Sequence, residues 1–126
     1  MNAQNANALR EQGERTNQSN DTQMVFPDPY SVKGRVLGAL LRGERLTHLD
    51  CWRRFGSSRL SHHVYCARRS GWPVGMLEED VKTSDADRTA TIGVYFLEPE
   101  AIHETGERGQ RYAALTARIE AERRAR

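Results

Sequence analysis

Leu46-Thr47-His48-Leu49-Asp50-Cys51-Trp52-Arg53-Arg54-Phe55-Gly56-Ser57-Ser58-Arg59-Leu60-Ser61-His62-His63-Val64 reads as a short helix, a glycine turn and a second short helix rich in Arg, His and Ser. That is the layout of a helix-turn-helix, whose second helix can lie in a DNA major groove. Thr47 is placed to cap the first helix, and Asp50 sits favourably in its first turn. Gly56 supplies the backbone freedom for the turn. Ser57 or Ser58 can cap the second helix, which should run to about Ser70 before Gly71 ends it in a left-handed cap.

Upstream, residues 1–23 are dominated by Asn, Gln, Glu, Arg and Ser, and Leu9 is the only large apolar side chain after Met1. Such a segment has too little apolar surface to offset the entropy of ordering. Met24-Val25-Phe26-Pro27-Asp28-Pro29-Tyr30 is apolar but carries two prolines, which favours an extended segment packed on the domain over a helix. Ser31 then caps a helix with Val32, Val36, Leu37, Leu40 and Leu41 on one face, ended by Arg42-Gly43-Glu44. Downstream, Trp72-Pro73-Val74 is extended, and residues 76–83 and 89–97 have strand composition around the turn-forming Ser84-Asp85-Ala86-Asp87-Arg88. Two strands and a tight loop directly after a helix-turn-helix make a wing. Pro99 suits a first helical position, and from about Gln110 helix formers space Tyr112, Leu115 and Ile119 along a thin apolar stripe.

The fold class this predicts is α+β: a winged helix-turn-helix of three helices and a two-stranded wing, followed by a C-terminal helix. The chain divides into a disordered N-terminal arm (1–30), the winged domain (31–98) and a helical extension (99–126). The extension either docks on the domain or meets a partner, a second copy of the chain included.

The formal net charge is only +2, but it is unevenly placed. Residues 31–71 hold nine Lys and Arg (Lys33, Arg35, Arg42, Arg45, Arg53, Arg54, Arg59, Arg68, Arg69) against Glu44 and Asp50, a local charge of +7. Residues 72–98 carry −4 and residues 1–30 carry −2. Clustering of positive charge on the helix-turn-helix is the footprint expected of a phosphate-binding face. With 126 residues there is room for one domain. No apolar run approaches the ~20 residues needed to span a bilayer, and the amino terminus lacks the apolar core of a secretory signal, so a bacterial cytoplasmic or nucleoid location is expected. His48-x-x-Cys51 and His63-x-x-Cys66 repeat a zinc-like spacing, but the pairs are split by the helix turn, so no metal is expected. No phosphate-cradling glycine loop and no pocketed carboxylate pair points to an enzyme or a cofactor.

The run Leu46-Thr47, Asp50-Cys51, Phe55-Gly56, Arg59-Leu60-Ser61, Val64 and Arg68-Arg69-Ser70-Gly71-Trp72-Pro73-Val74, with Val94-Tyr95-Phe96-Leu97 beyond it, resembles a family of small winged helix-turn-helix domains common in phage and prophage genomes. Members typically carry Leu-Thr, Asp-Ala, Phe-Gly, Arg-Leu-Ala and Arg-x-x-Gly-x-x-Ile along this stretch. Here Cys51 and Ser61 stand where Ala is usual, and Ala67 where Leu is common. The resemblance covers residues 32–98 and implies the winged fold and a presumption of duplex DNA binding.

On the second helix Leu60, Val64 and Ala67 form the inward stripe, leaving Ser58, Arg59, His62, Tyr65, Cys66 and Arg69 outward with His63 at the border. Arg59 and His62, in the first turns, are the leading base-contact candidates; a structural alternative pairs Arg59 with Asp50. Ser57, Ser58, Tyr65, Arg69, Lys33, Arg35 and the wing residue Arg88 complete the expected DNA-binding set. Glu78-Glu79-Asp80 on the first wing strand would repel phosphates, so only Lys82 and Arg88 could carry the wing into a minor groove. Two classes of function follow: a DNA-binding phage or mobile-element transcriptional regulator, or a winged module that binds and redirects a host protein.

Overall fold

A computed structural model of the protein describes residues 24–84 and 88–125. The element order is α1 (Val32–Leu41), α2 (His48–Phe55), α3 (Leu60–Arg69), β1 (Gly75–Lys82), β2 (Thr89–Phe96), α4 (Pro99–Glu104) and α5 (Gly106–Arg124). The fold is therefore α+β, three helices followed by a two-stranded antiparallel sheet and C-terminal helices, an order compatible with a winged helix. The disorder expected over residues 1–23 and the turn at 85–87 lie outside the described residues.

Local chemistry sets most boundaries. Ser31 Oγ accepts from Gly34 N at 3.0 Å to start α1. Thr47 and Asp50 form a capping box on α2, each side chain accepting the other's backbone N–H at 3.2 and 3.0 Å. Gly56 ends α2 at φ 68°, and Gly71 follows α3 at φ 97°, conformations that glycine adopts without the strain of a Cβ. The start of α3 differs from expectation. Its N-cap is Arg59, without a side-chain cap; Ser57, two residues before that position, accepts through Oγ from Arg59 N at 3.2 Å instead of capping the helix proper.

β1 and β2 pair from Gly75↔Phe96 to Lys82↔Thr89. Leu46, in the link between α1 and α2, exchanges both backbone hydrogen bonds with Tyr95 at 2.9 Å and so ties the sheet to the start of α2.

The core gathers Val36, Leu37, Leu40, Leu46, Cys51, Leu60, Val64 and Trp72 around α1, whose residues from Gly34 to Leu41 are all buried. Gly34 and Gly38 explain how α1 can be covered on so many sides. A Cβ on Gly38 would lie 1.8 Å from Thr116 Oγ1, and one on Gly34 would lie 2.1 Å from Asp28 O and 2.7 Å from the Tyr112 hydroxyl. The two glycines bring α5 and residues 24–30 against the α1 backbone.

This packing bears on two expectations. Residues 24–30 lie extended against the core, as their composition predicts, with Met24 and Phe26 packed on it, so they go with the domain rather than with an arm reaching residue 30. Trp72 Nε1 donates to Val25 O at 2.8 Å, Phe26 lies edge-on to Trp72 and tilted on Tyr112, and the Tyr112 hydroxyl donates to Pro27 O at 2.7 Å. Second, α5 starts four residues before the expected Gln110 and buries Tyr112, Ala113, Thr116, Ile119 and Glu120, with Leu115 only half-buried. Of the two roles expected of the extension, docking on the domain is the one that Tyr112 and Ile119 take, through the packing of α5 on α1.

Candidate nucleic-acid interface

α3 is held from below by Leu60 and Val64, which are buried at 0% and 1% exposure. A helix pinned at i and i+4 must turn its remaining faces outward. Arg59 and Tyr65 are exposed, as are Ser58, Ser61, Arg68 and Arg69, while His62 and Cys66 are half-buried. Tyr65 and Arg69, one turn apart, act as a unit: the Arg69 guanidinium donates to the Tyr65 hydroxyl at 3.1 Å and lies over its ring. The Arg68 Nε donates to Val74 O at 3.0 Å, which leaves its terminal nitrogens outside that bond. The Arg59–Asp50 pairing does not form; the Asp50 carboxylate serves the α2 capping box.

His63 joins the turn to the helix. Its Nε2 is 2.9 Å from Ser57 Oγ, while Nδ1 is buried without a partner. Burial first, then the nearby His62, Lys33 and Arg59, push its pKa below the ordinary value of 6.5, so the neutral ring is the form the fold selects. Ser57 is thereby committed to His63 and to the Arg59 N–H. Of the two expected serines only Ser58 is exposed.

The expected site residues separate into two groups. Ser58, Arg59, His62, Tyr65 and Arg69 share the outer side of α3 and its approach, and Lys33 of α1 lies near enough to bear on His63. Arg35 does not belong with them. It is 6% exposed and lies over the Phe55 ring at 5.7 Å, so it has no route to a phosphate on the α3 face. The single apolar face read from the sequence put Arg35 outside the helix stripe; α5, by covering a further side of α1, buries it. Arg88 is exposed just before β2, its carbonyl accepting from Thr83 N at 3.1 Å. Glu78, Glu79 and Asp80 are exposed along β1, and Asp80 accepts from Thr91 Oγ1 at 2.8 Å.

The cations of residues 31–71 are also less uniform than their count suggests. Arg42 and Arg54 are tied to Glu44 and to Glu120 of α5. By contrast, among the described residues no carboxylate lies within ion-pair distance of Lys33, Arg53, Arg59, Arg68 or Arg69. Arg53 of α2 and Arg68 of α3 are exposed cations that were not among the expected contacts. Leu49 and Trp52 are a further surprise, 52% and 59% exposed on the outer face of α2. Among the described residues no three His, Cys, Asp or Glu side chains gather in a metal-binding arrangement, and Cys51 is buried while His48 faces solvent. No helix among these residues is long and apolar enough to cross a membrane. No family model, curated protein or solved structure matches this chain.

Proposed function

We propose that the chain is a DNA-binding protein of the phage or mobile-element regulator kind, a winged helix-turn-helix whose α3 enters the major groove of duplex DNA. The observation that carries this reading is the charge segregation around α3. Among the described residues Lys33, Arg53, Arg59, Arg68 and Arg69 have no carboxylate within ion-pair distance, while Asp50 is held by Thr47 and Glu44 by Arg42 and Arg54. Exposed cations without nearby carboxylates raise the local potential that phosphates seek. Arg59 and His62 would read base edges from the first turn of α3, with Tyr65 and Arg69 positioned further along. At the wing, Arg88 and Lys82 would touch the backbone, and the acidic β1 would stay clear of it.

The test is fluorescence anisotropy on a random duplex across a salt series. Neutralising about four phosphates gives a log–log slope of about −3.6. Absence of binding at low salt, with the protein shown to be folded, overturns the reading. A second reading is then favoured by Leu49 and Trp52: an exposed apolar pair on α2 suits docking on a host protein.

A further inference from the structure

A cleft of about 450 Å³ opens where the link after α1, the end of β2 and α4 meet, a volume within the usual range of small-ligand sites. Its lining is largely apolar: Leu41 and Leu97 are buried, and Phe96 and Ile102 half-buried. No residue of α3 lines it, so what it binds does not rest on the DNA reading.

The Leu46–Tyr95 backbone pairing sets one side of the cleft. In an antiparallel bridge the residue before one partner lies opposite the residue after the other, which brings Arg45 to Phe96. The Arg45 guanidinium accordingly lies over the Phe96 ring at 5.9 Å. Glu98 lines the same cleft from the N-cap position of α4, where its side chain caps nothing. Arg45 and Glu98 are both exposed and carry opposite charges. Among the described residues neither has an ion-pair or side-chain hydrogen-bond partner, and they are not within ion-pair distance of each other. Arg42, the other arginine of the lining, is already engaged: Nε and Nη2 face Glu44 and Glu120, and Nη1 donates to Ala113 O and Thr116 Oγ1.

We propose that this cleft binds an apolar α-amino acid, with its carboxylate on Arg45, its ammonium on Glu98 and its side chain on the Leu41, Leu97 and Ile102 surface. A ligand with one charge of each sign complements both unpaired side chains. A plain carboxylate would meet like charge at Glu98, and a plain amine would meet it at Arg45. The apolar lining rewards a hydrocarbon or aromatic side chain by removing it from water. Both ionic contacts are solvated, so the binding is weak, with a dissociation constant of about 1 mM.

The test is an amide chemical-shift titration of the full chain with three probes: L-phenylalanine, 3-phenylpropanoate, which lacks the ammonium, and phenethylamine, which lacks the carboxylate. L-phenylalanine should give saturable shifts at Arg45, Phe96, Leu97 and Ile102, and each analogue should bind about threefold to fivefold more weakly. Arg45→Gln should abolish the preference for phenylalanine over phenethylamine and keep that over phenylpropanoate. Glu98→Gln should do the reverse. Both side chains are exposed, so both variants should melt with the natural protein. Absence of saturable shifts at these residues, equal binding of the three probes, or preferences unchanged in the two variants overturns the proposal.

Discussion

Leu60 is wholly buried, while Arg59 immediately before it is exposed and His62 two residues later is half-buried. Neighbouring residues on one short helix should therefore respond oppositely to truncation. Leu60→Ala is expected to cost about 2–5 kcal/mol of stability through the cavity it leaves. Arg59→Ala and His62→Ala should leave stability within about 0.5 kcal/mol and weaken duplex binding by about tenfold each. Chemical denaturation and anisotropy on the three variants check this, and a stability loss in Arg59→Ala equal to that in Leu60→Ala would make Arg59 a structural residue. His63 carries a second expectation at this scale. Burial and neighbouring cations hold its folded-state pKa below 6.5, so the unfolded chain binds a proton that the native ring refuses. The stability tied to the neutral ring is fully present above about pH 6.5 and is lost as pH falls below it. Urea melts at pH 7.5 and pH 5.5 should show the loss, and His63→Gln, which keeps a group able to reach Ser57, should flatten it. An identical fall in His63→Gln would assign the pH dependence to other groups.

Helix α5 is locked to α1 and α2 by side chains that its sequence pattern conceals. Its expected apolar stripe of Tyr112, Leu115 and Ile119 is replaced by Tyr112, Thr116, Ile119 and Glu120, two of them polar. Thr116 fits over Gly38, and its hydroxyl donates back into its own helix to Tyr112 O and Ala113 O at 3.0 Å. Burial works against the Glu120 carboxylate, but hydrogen bonds from Arg54 and the charges of Arg54, Arg124 and Arg42 outweigh it, and its pKa lies below the ordinary value. Hydrophobic periodicity cannot register a helix that buries a carboxylate, so α5 read as a thin stripe that either docks on the domain or meets a partner. The start of α1, both ends of α2 and the end of α3 were legible because each rests on a local device: Ser31, the Thr47–Asp50 box, Gly56 and Gly71. Glu120→Ala should cost about 3 kcal/mol, since it leaves the partly buried Arg42 and Arg54 only Glu44 to share. Removing Glu107 from its exposed pair with Arg111 should leave melting unchanged. Gly38→Ala should cost about 1–3 kcal/mol, because Thr116 must move to admit a methyl. Circular dichroism melts of the three variants rank them, and an unaffected Glu120→Ala would mean that α5 is held by its apolar contacts alone.

Across the whole molecule, positive charge is sorted rather than spread. At the corner of α1, α2 and α5 the arginines Arg42 and Arg54 bind α5 to the rest of the fold, while on the α3 side the cations stay unpaired. Summed charge along the sequence could locate the basic half of the chain but not this division, because Glu120 lies 66 residues from Arg54. The same long-range closure governs the amino terminus. Residues 24–30 lie between the end of α3 and α5: Val25 N donates to Ser70 O at 3.0 Å, and Phe26 contacts both Trp72 and Tyr112. Arg108 covers the outer face of the Phe26 ring at 4.6 Å, so this short extended segment completes a layer that neither helix closes alone. Residues 1–23 offer only Leu9 as a large apolar side chain after Met1. Two truncations separate these roles. A chain starting at Met24 should melt within about 2 °C of the full protein, for it gives up almost no apolar surface. A chain starting at Ser31 loses Phe26, the Val25 and Pro27 acceptors of Trp72 and Tyr112, and the cover over Gly34. Burial of Phe26 alone contributes about 2–3 kcal/mol, and each stranded donor about 1–3 kcal/mol more. The second truncation should therefore lower the melting temperature by about 15 °C or leave the domain unfolded. Equal melting of the two truncated chains would show that the core closes without residues 24–30 and that the segment is an appendage after all.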